Sequence, residues 1–291
     1  MKLQNEYCVS IMKIKGLNQF REKLPKLSGK RIILLPIYTL FVLILFILFV
    51  TLLYSLPNPS NPISIIFPLL GILLLEIIAL LLVYQFWLWR DKLKAKFKQK
   101  SYQKIIFVGF GGIIIVMAVA FNNLTPIIMV NSELGENSFF YYFFSPLTSL
   151  IAGNWLIIDI LRYIIGIILL LIGIMTMVRS LVTFGIDYMA LVYLYFPEES
   201  EVQNYEIYSI LRHPAYSGVI LVCFAGFIIN LSFFNLIYFV IFIIGFSIHI
   251  IFVEEKELIQ RFGESYNTYR KSTPAIFVRP RNWKIFFKFL F

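Results

Sequence analysis

The chain has 291 residues, 59% of them hydrophobic and only 14% charged, and its mean hydropathy is +0.82. About a quarter of a soluble domain is charged, so this composition excludes a water-soluble globule and is better counted in apolar runs of about 20 residues. The net charge of +10 comes from Lys and Arg beside those runs, which reads as membrane topology rather than nucleic-acid binding, because no nucleic-acid motif accompanies them. Two cysteines, Cys8 and Cys223, and two histidines, His213 and His249, offer neither a disulfide framework nor a metal site.

Residues 1–31 form a basic amino-terminal segment ending in Lys26, Lys30 and Arg31. The apolar run 32–55 is too long for the core of a signal peptide and reads as a retained first span. A Pro/Asn turn around Pro57 and Pro62 leads into a second span at 63–89, which closes on Trp87 and Trp89. Glu76, near its middle, is costly at the bilayer centre and is expected to face the bundle, protonated or paired. The Lys-rich stretch 90–104 reads as a loop on the side of the amino terminus and as a binder of anionic lipid headgroups.

The third span is expected at 105–130, followed by an acidic loop with Glu133 and Glu136 and an aromatic run, 139–144, suited to the membrane interface. The fourth span, 155–178, holds Asp159 and Arg162 three residues apart on one helix face, where they are expected to pair. A long polar connector spans 181–209, and loops of that length are usually functional. Two apolar segments, 215–229 and 233–253, are joined by Asn230-Leu231-Ser232 alone and read as a tight helical hairpin. At fifteen residues, the first of these is the weakest of the six spans.

The basic segments and the neutral or acidic loops alternate between two sides, which places both termini in the cytosol. The expected fold is therefore all-α, a polytopic membrane bundle of about six spans with a cofactor site in its carboxyl-terminal hairpin. Residues 1–31 form the cytosolic segment, 32–154 an accessory transmembrane region, and 155–291 the core with its cytosolic tail.

Chemistry concentrates in that core. In Tyr208-Ser209-Ile210-Leu211-Arg212-His213-Pro214-Ala215-Tyr216-Ser217-Gly218, Pro214 suits the first turn of a helix. The helix amino terminus, Arg212 and His213 then offer positive charge to a carboxylate. Glu254 and Glu255 follow the second hairpin segment, so they return to the same membrane face. Acids at a helix carboxyl end are disfavoured by its dipole, which argues for a cationic partner. A ligand carrying both a carboxylate and an ammonium matches the pair of clusters. Gly218 is expected to permit close approach of a helix or ligand, and His249, about one turn before the acids, is a candidate pocket residue.

From about residue 166 to 281 the sequence resembles the isoprenylcysteine carboxyl methyltransferase and phospholipid methyltransferase superfamily. The matching residues are Tyr208, Arg212, His213, Pro214, Tyr216, Gly218, Glu254, Glu255, Phe262, Gly263, Tyr266, Tyr269 and Pro274; Glu206-Ile207 and Ala275 depart from the pattern. The resemblance implies an integral membrane methyltransferase using S-adenosylmethionine (SAM). Its cofactor would be held by Tyr208, Arg212, His213, Pro214, Tyr216, Gly218, Glu254, Glu255 and a tail cation such as Arg270, with Glu254, Glu255 and His249 as catalytic candidates.

A lipophilic acceptor, a prenylcysteine or a lipid, would arrive from the bilayer, and no metal or nucleic acid is involved. Prenylcysteine carboxyl methylation is the first expectation and phospholipid amine methylation the alternative. A non-enzymatic lipid-binding protein is the reading from a different class, and a sterol reductase is disfavoured by the Glu-Glu and Phe-Gly pattern.

Overall fold

A computed structural model describes residues 33–56, 61–125, 139–150, 155–185, 195 and 202–291, and these are helical, with no β-sheet among them. The long helices are α1 (Leu34–Ser55), α2 (Ile66–Phe97), α3 (Ser101–Asn122), α4 (Leu156–Phe184), α5 (Pro214–Asn230) and α6 (Phe233–His249). Three shorter ones follow, α7 (Glu255–Phe262), α8 (Glu264–Ser272) and α9 (Trp283–Leu290). The basic amino-terminal segment, the acidic loop and the connector residues Asp187, Glu198, Glu199 and Glu201 lie outside the described residues.

Among the described residues, five helical stretches are long and apolar enough to cross a membrane: Leu34–Ser55, Ile66–Gln85, Ser101–Asn122, Leu156–Phe184 and Phe233–Phe262. α5 is apolar but only 17 residues long, about 26 Å at 1.5 Å per residue against ~30 Å of hydrocarbon. The bundle is thus five full-length helices plus a short one, where the sequence reading counted six spans. Large apolar side chains stay exposed along the outer faces of α1 and α4, as lipid-facing surfaces require.

Two sequence expectations need correction, and the aromatic run expected at the interface gains a defined shape. The Lys-rich stretch is no open loop: α2 continues through Lys94 and Lys96 to Phe97, and a single 3₁₀ turn, Lys98–Lys100, passes directly into α3. The aromatic run folds as a short helix, Phe139–Phe144, whose Phe144 is buried with its ring 5.0 Å from that of Phe234. Glu254 and Glu255 do not end a helix; α6 passes through one π turn, Ile250–Glu254, straight into α7.

The hairpin and α4 form the tightest unit. Gly166, Gly173 and Gly218 sit where α4 and α5 nearly touch: a Cβ at Gly218 would stand 2.6 Å from the Gly173 carbonyl oxygen and 2.5 Å from Met177 Cγ. Small residues let membrane helices approach in this way, where lipid supplies no hydrophobic drive. Gly218 therefore serves a helix contact.

At the hairpin tip, Leu231 takes a left-handed conformation (φ +46°), and the Ser232 hydroxyl accepts the Asn235 N–H to start α6. The Asn123 amide donates to the Cys223 carbonyl at 2.8 Å, and Asn235 donates to the Asn123 side chain at 2.9 Å. These bonds fasten the end of α3 to the hairpin. As expected, Asp159 pairs with Arg162 at 2.7 Å, and Glu76 faces inward, 1% exposed, its carboxyl against Gly245 of α6.

Gly218→Val should cost about 1–3 kcal/mol through overpacking. Gly111→Val should cost less, because the atom nearest an added Cβ there is the end of a flexible side chain, Tyr38. Thermal melting in detergent checks this, and equal losses would contradict the backbone contact.

Candidate functional site

The site is assembled where α5 begins, where α6 passes into α7, and where the tail after α8 crosses both. Pro214 occupies the first turn of α5 and His213 its N-cap position, in a non-helical conformation (φ −124°, ψ 62°). The preceding backbone is thereby left with free N–H groups, and the tail satisfies them. Arg212 N–H donates to the Pro274 carbonyl at 2.9 Å and His213 N–H to Ala275 at 3.0 Å. The Ser217 hydroxyl donates to the Ile276 carbonyl at 2.6 Å. Proline at 274 has no N–H to offer but keeps its carbonyl, which is the atom used here.

Glu255 is the hub. It is 3% exposed, and its Oε1 accepts Arg212 Nε at 2.9 Å and a second contact from Arg212 Nη2, while His213 Nε2 stands 3.3 Å away. Its Oε2 meets Arg270 Nε at 3.0 Å. Arg212 is occupied further, because its Nη1 donates to the carbonyls of Arg270, at 2.9 Å, and Thr273. Three segments are thus pinned to one carboxylate, as a buried charge requires.

Glu254 is built differently. Its Oε1 lies 3.7 Å from His213 Nδ1, and the Tyr216 ring stacks on His213 at 8° and 5.7 Å. The other oxygen, Glu254 Oε2, is buried without a hydrogen-bond partner. The Tyr266 hydroxyl is a second buried polar atom in that condition. An unpartnered buried carboxylate oxygen costs free energy unless a donor reaches it. The π turn just upstream fits this picture, since such turns recur at functional sites.

Burial alone would push the His213 ring toward neutrality, but the Glu254 carboxylate, and then Glu255, outweigh it and raise its pKa to about 9. His213 is consequently charged at neutral pH. Tyr208 is buried and committed elsewhere: its hydroxyl meets Ser180 of α4 at 2.6 Å, and its carbonyl accepts the Tyr269 hydroxyl at 2.5 Å. Burial, above all, raises the pKa of both phenols, so they stay neutral. His249 is 6% exposed on the last turn of α6.

Two cavities flank the cluster. One of about 260 Å³ is lined by Arg212, Glu255 and Arg270 at its polar end and by Ser247, Ile250, Ile251 and Ile276 beyond. A larger one, about 680 Å³, is lined by polar residues including Asn204, Ser209, Thr268 and Thr273. No group of three or more His, Cys, Asp or Glu residues suited to a metal ion occurs among the described residues.

Such an arrangement, with acids and cations meeting over a helix amino terminus inside an apolar bundle, is what the sequence resemblance leads one to look for. Residues 161–265 match the phospholipid methyltransferase family model. The match, over about a third of the chain, agrees with the superfamily resemblance read from the sequence. It takes in Arg212, His213, Glu254 and Glu255 but stops short of Arg270 and the tail. No curated protein and no solved structure matches the chain.

Of the candidate residues, Arg212, His213, Tyr216, Glu254 and Glu255 come together with Arg270. Pro214 starts the helix, Tyr208 supports the segment from behind, and Gly218 packs on α4. Sequence reasoning missed the accepting carbonyls of Thr273, Pro274 and Ala275, for which no side-chain signal exists. It also missed Ser180, whose signal was its place seven residues after Gly173 on the same face of α4.

A raised folded-state pKa means that the His213 ion pairs contribute stability fully below its ordinary pKa of 6.5 and lose it as pH rises through about 9. The melting-temperature advantage of the native protein over His213→Gln should follow that course. An advantage that does not change with pH would contradict it.

Proposed function

We propose that this site binds SAM and that the chain methylates a lipophilic acceptor at the cytosolic membrane face. The observation that carries the reading is the division of labour between adjacent glutamates: Glu255 is consumed by Arg212, His213 and Arg270, whereas Glu254 keeps one buried oxygen unpartnered. Glu254 is accordingly the residue to take the ammonium. The carboxylate falls to Arg270, whose side chain is 46% exposed, and to His213 Nδ1, which at 3.7 Å from Glu254 lies beyond hydrogen-bond distance, because Arg212 has its donors directed at Glu255 and two carbonyls. Tyr216 holds the His213 ring in register.

When bound, SAM supplies a methyl group on a sulfonium, whose transfer is an in-line displacement that disperses positive charge. The protein's contribution is alignment and exclusion of water. Ile250, Ile251 and Ile276 make the smaller cavity apolar. Ile251, in the π turn that follows α6, is also 53% exposed, so this cavity borders the lipid-facing side, and a lipid tail can reach it without crossing water.

A carboxylate acceptor of the prenylcysteine kind needs no base, which suits a site whose acids are already engaged. An amine headgroup is the second reading, favoured by the phospholipid description of the matching family. There Glu254 or His249 would accept the departing proton.

Thermal-shift titration with SAM tests the assignment. Glu254→Gln should lose SAM-dependent stabilisation, with a smaller loss of ligand-free stability than Glu255→Gln because Glu254 pairs with His213 alone, at 3.7 Å. Glu255→Gln should lose it and also unfold earlier, by the roughly 3–5 kcal/mol typical of a broken buried ion pair. Ordinary SAM stabilisation in Glu254→Gln and His213→Ala together would overturn the reading.

A further inference from the structure

The chain ends in a helix that the site does not use. Around α9, Phe286 and Leu290 are buried, four residues apart, against Ile207, Tyr208, Ile210 and Leu211. The Arg179 side chain, near the end of α4, donates to the Leu290 carbonyl at 3.3 Å and so complements the negative end of the helix. One face of α9 is therefore fixed to the segment that leads into Arg212 and His213.

The remaining faces are sorted. Trp283, Phe287 and Phe291, again spaced by four, form an exposed aromatic ridge, 56%, 42% and 77% exposed respectively, and Ile285, 46% exposed, flanks the lysines on their other side. Lys284 and Lys288 form the adjoining exposed stripe, and Arg279 and Arg281 precede the helix. Eight residues with a protein-facing side, an apolar side and a cationic side describe a helix lying in the plane of an interface, with its ridge at acyl depth and its lysines at headgroup depth. Residues 265–291 carry no acidic side chain. The charge complement of this stripe is an anionic surface.

We infer that α9 is an in-plane anchor for an anionic phospholipid leaflet, and that its docking steadies the tail strand that closes the site. Mechanical continuity supports the second part. Between α8 and α9 the chain pairs at Pro274, Ala275 and Ile276 with Arg212, His213 and Ser217, and α9 itself packs beneath that same segment. A leaflet that holds α9 restrains both sides of the junction, so cofactor binding should respond to lipid charge. This coupling rests on the SAM reading above, whereas the docking does not.

Two readouts keep these apart. In proteoliposomes with brominated lipid, the fluorescence lost on Trp283→Phe substitution assigns the Trp283 signal among the chain's four tryptophans. Brominated phosphatidylglycerol should quench it more strongly than brominated phosphatidylcholine. The variant Arg279→Gln/Arg281→Gln/Lys284→Gln/Lys288→Gln, or high salt, should erase that preference. Equal quenching by the two lipids, or a preference retained in the quadruple variant, overturns the anchor and leaves an acidic protein surface as the occupant to seek.

In the second readout, the native protein should bind SAM about fivefold or more tightly in phosphatidylglycerol-containing vesicles than in phosphatidylcholine alone, and the quadruple variant should not. Identical affinities in both vesicles alongside selective quenching overturn the coupling alone. Absence of SAM binding in every vesicle defeats the site reading while the quenching result stands.

Discussion

A carboxylate taken out of water must be surrounded by cations and donors, and Glu255 meets that requirement by drawing on three separate pieces of chain. Arg212 and His213 arrive from the start of α5, Arg270 from the end of α8, and the carboxylate itself from the first turn of α7. Removing any one leaves buried charge uncompensated, which is far more costly than the pair is stabilising. The cluster therefore dictates where the tail crosses the hairpin, and the backbone bonds from Arg212 and His213 to Pro274 and Ala275 are made possible by it. Everything proposed for the site depends on that crossing.

Given the crossing, neighbouring glutamates acquire opposite characters. Successive residues on a helix point about 100° apart, so Glu255 turns into the cation cluster while Glu254 faces the His213 and Tyr216 rings. The π turn Ile250–Glu254 ends at this pair, which sets the angle at which both acids leave the membrane helix. Farther away, the Gly173 and Gly218 contact lets α4 approach α5, which brings Ser180 within reach of Tyr208 and steadies the segment ahead of Arg212. The accessory helices contribute by fastening the hairpin tip through Asn123.

Much of this was legible in the sequence, because hydrophobic runs of membrane length and a hairpin turn of three residues leave few alternatives. The Arg-His-Pro and Glu-Glu clusters could be placed on one face by counting helix crossings alone. What escaped were features that depend on backbone bonding. The Lys-rich stretch looked like a loop because its charge is uniform, yet lysine is a good helix former, and α2 runs on through it. The acids looked like a helix end because hydropathy falls there, although hydrogen bonding continues through the π turn into α7. Arg212 looked like a ligand residue, and only the geometry shows its guanidinium filled by Glu255 and two carbonyls.

Transfer of a methyl group from SAM to a lipophilic acceptor is the step proposed for this site, and it can be followed directly. Purified protein in vesicles should be incubated with methyl-labelled SAM and, in parallel, a prenylcysteine analogue and an amine-headgroup phospholipid. Label is expected in the organic phase, released as volatile methanol by mild base if the acceptor is a carboxylate. SAM binding without transfer to either acceptor class, or label confined to water-soluble products, would contradict that step.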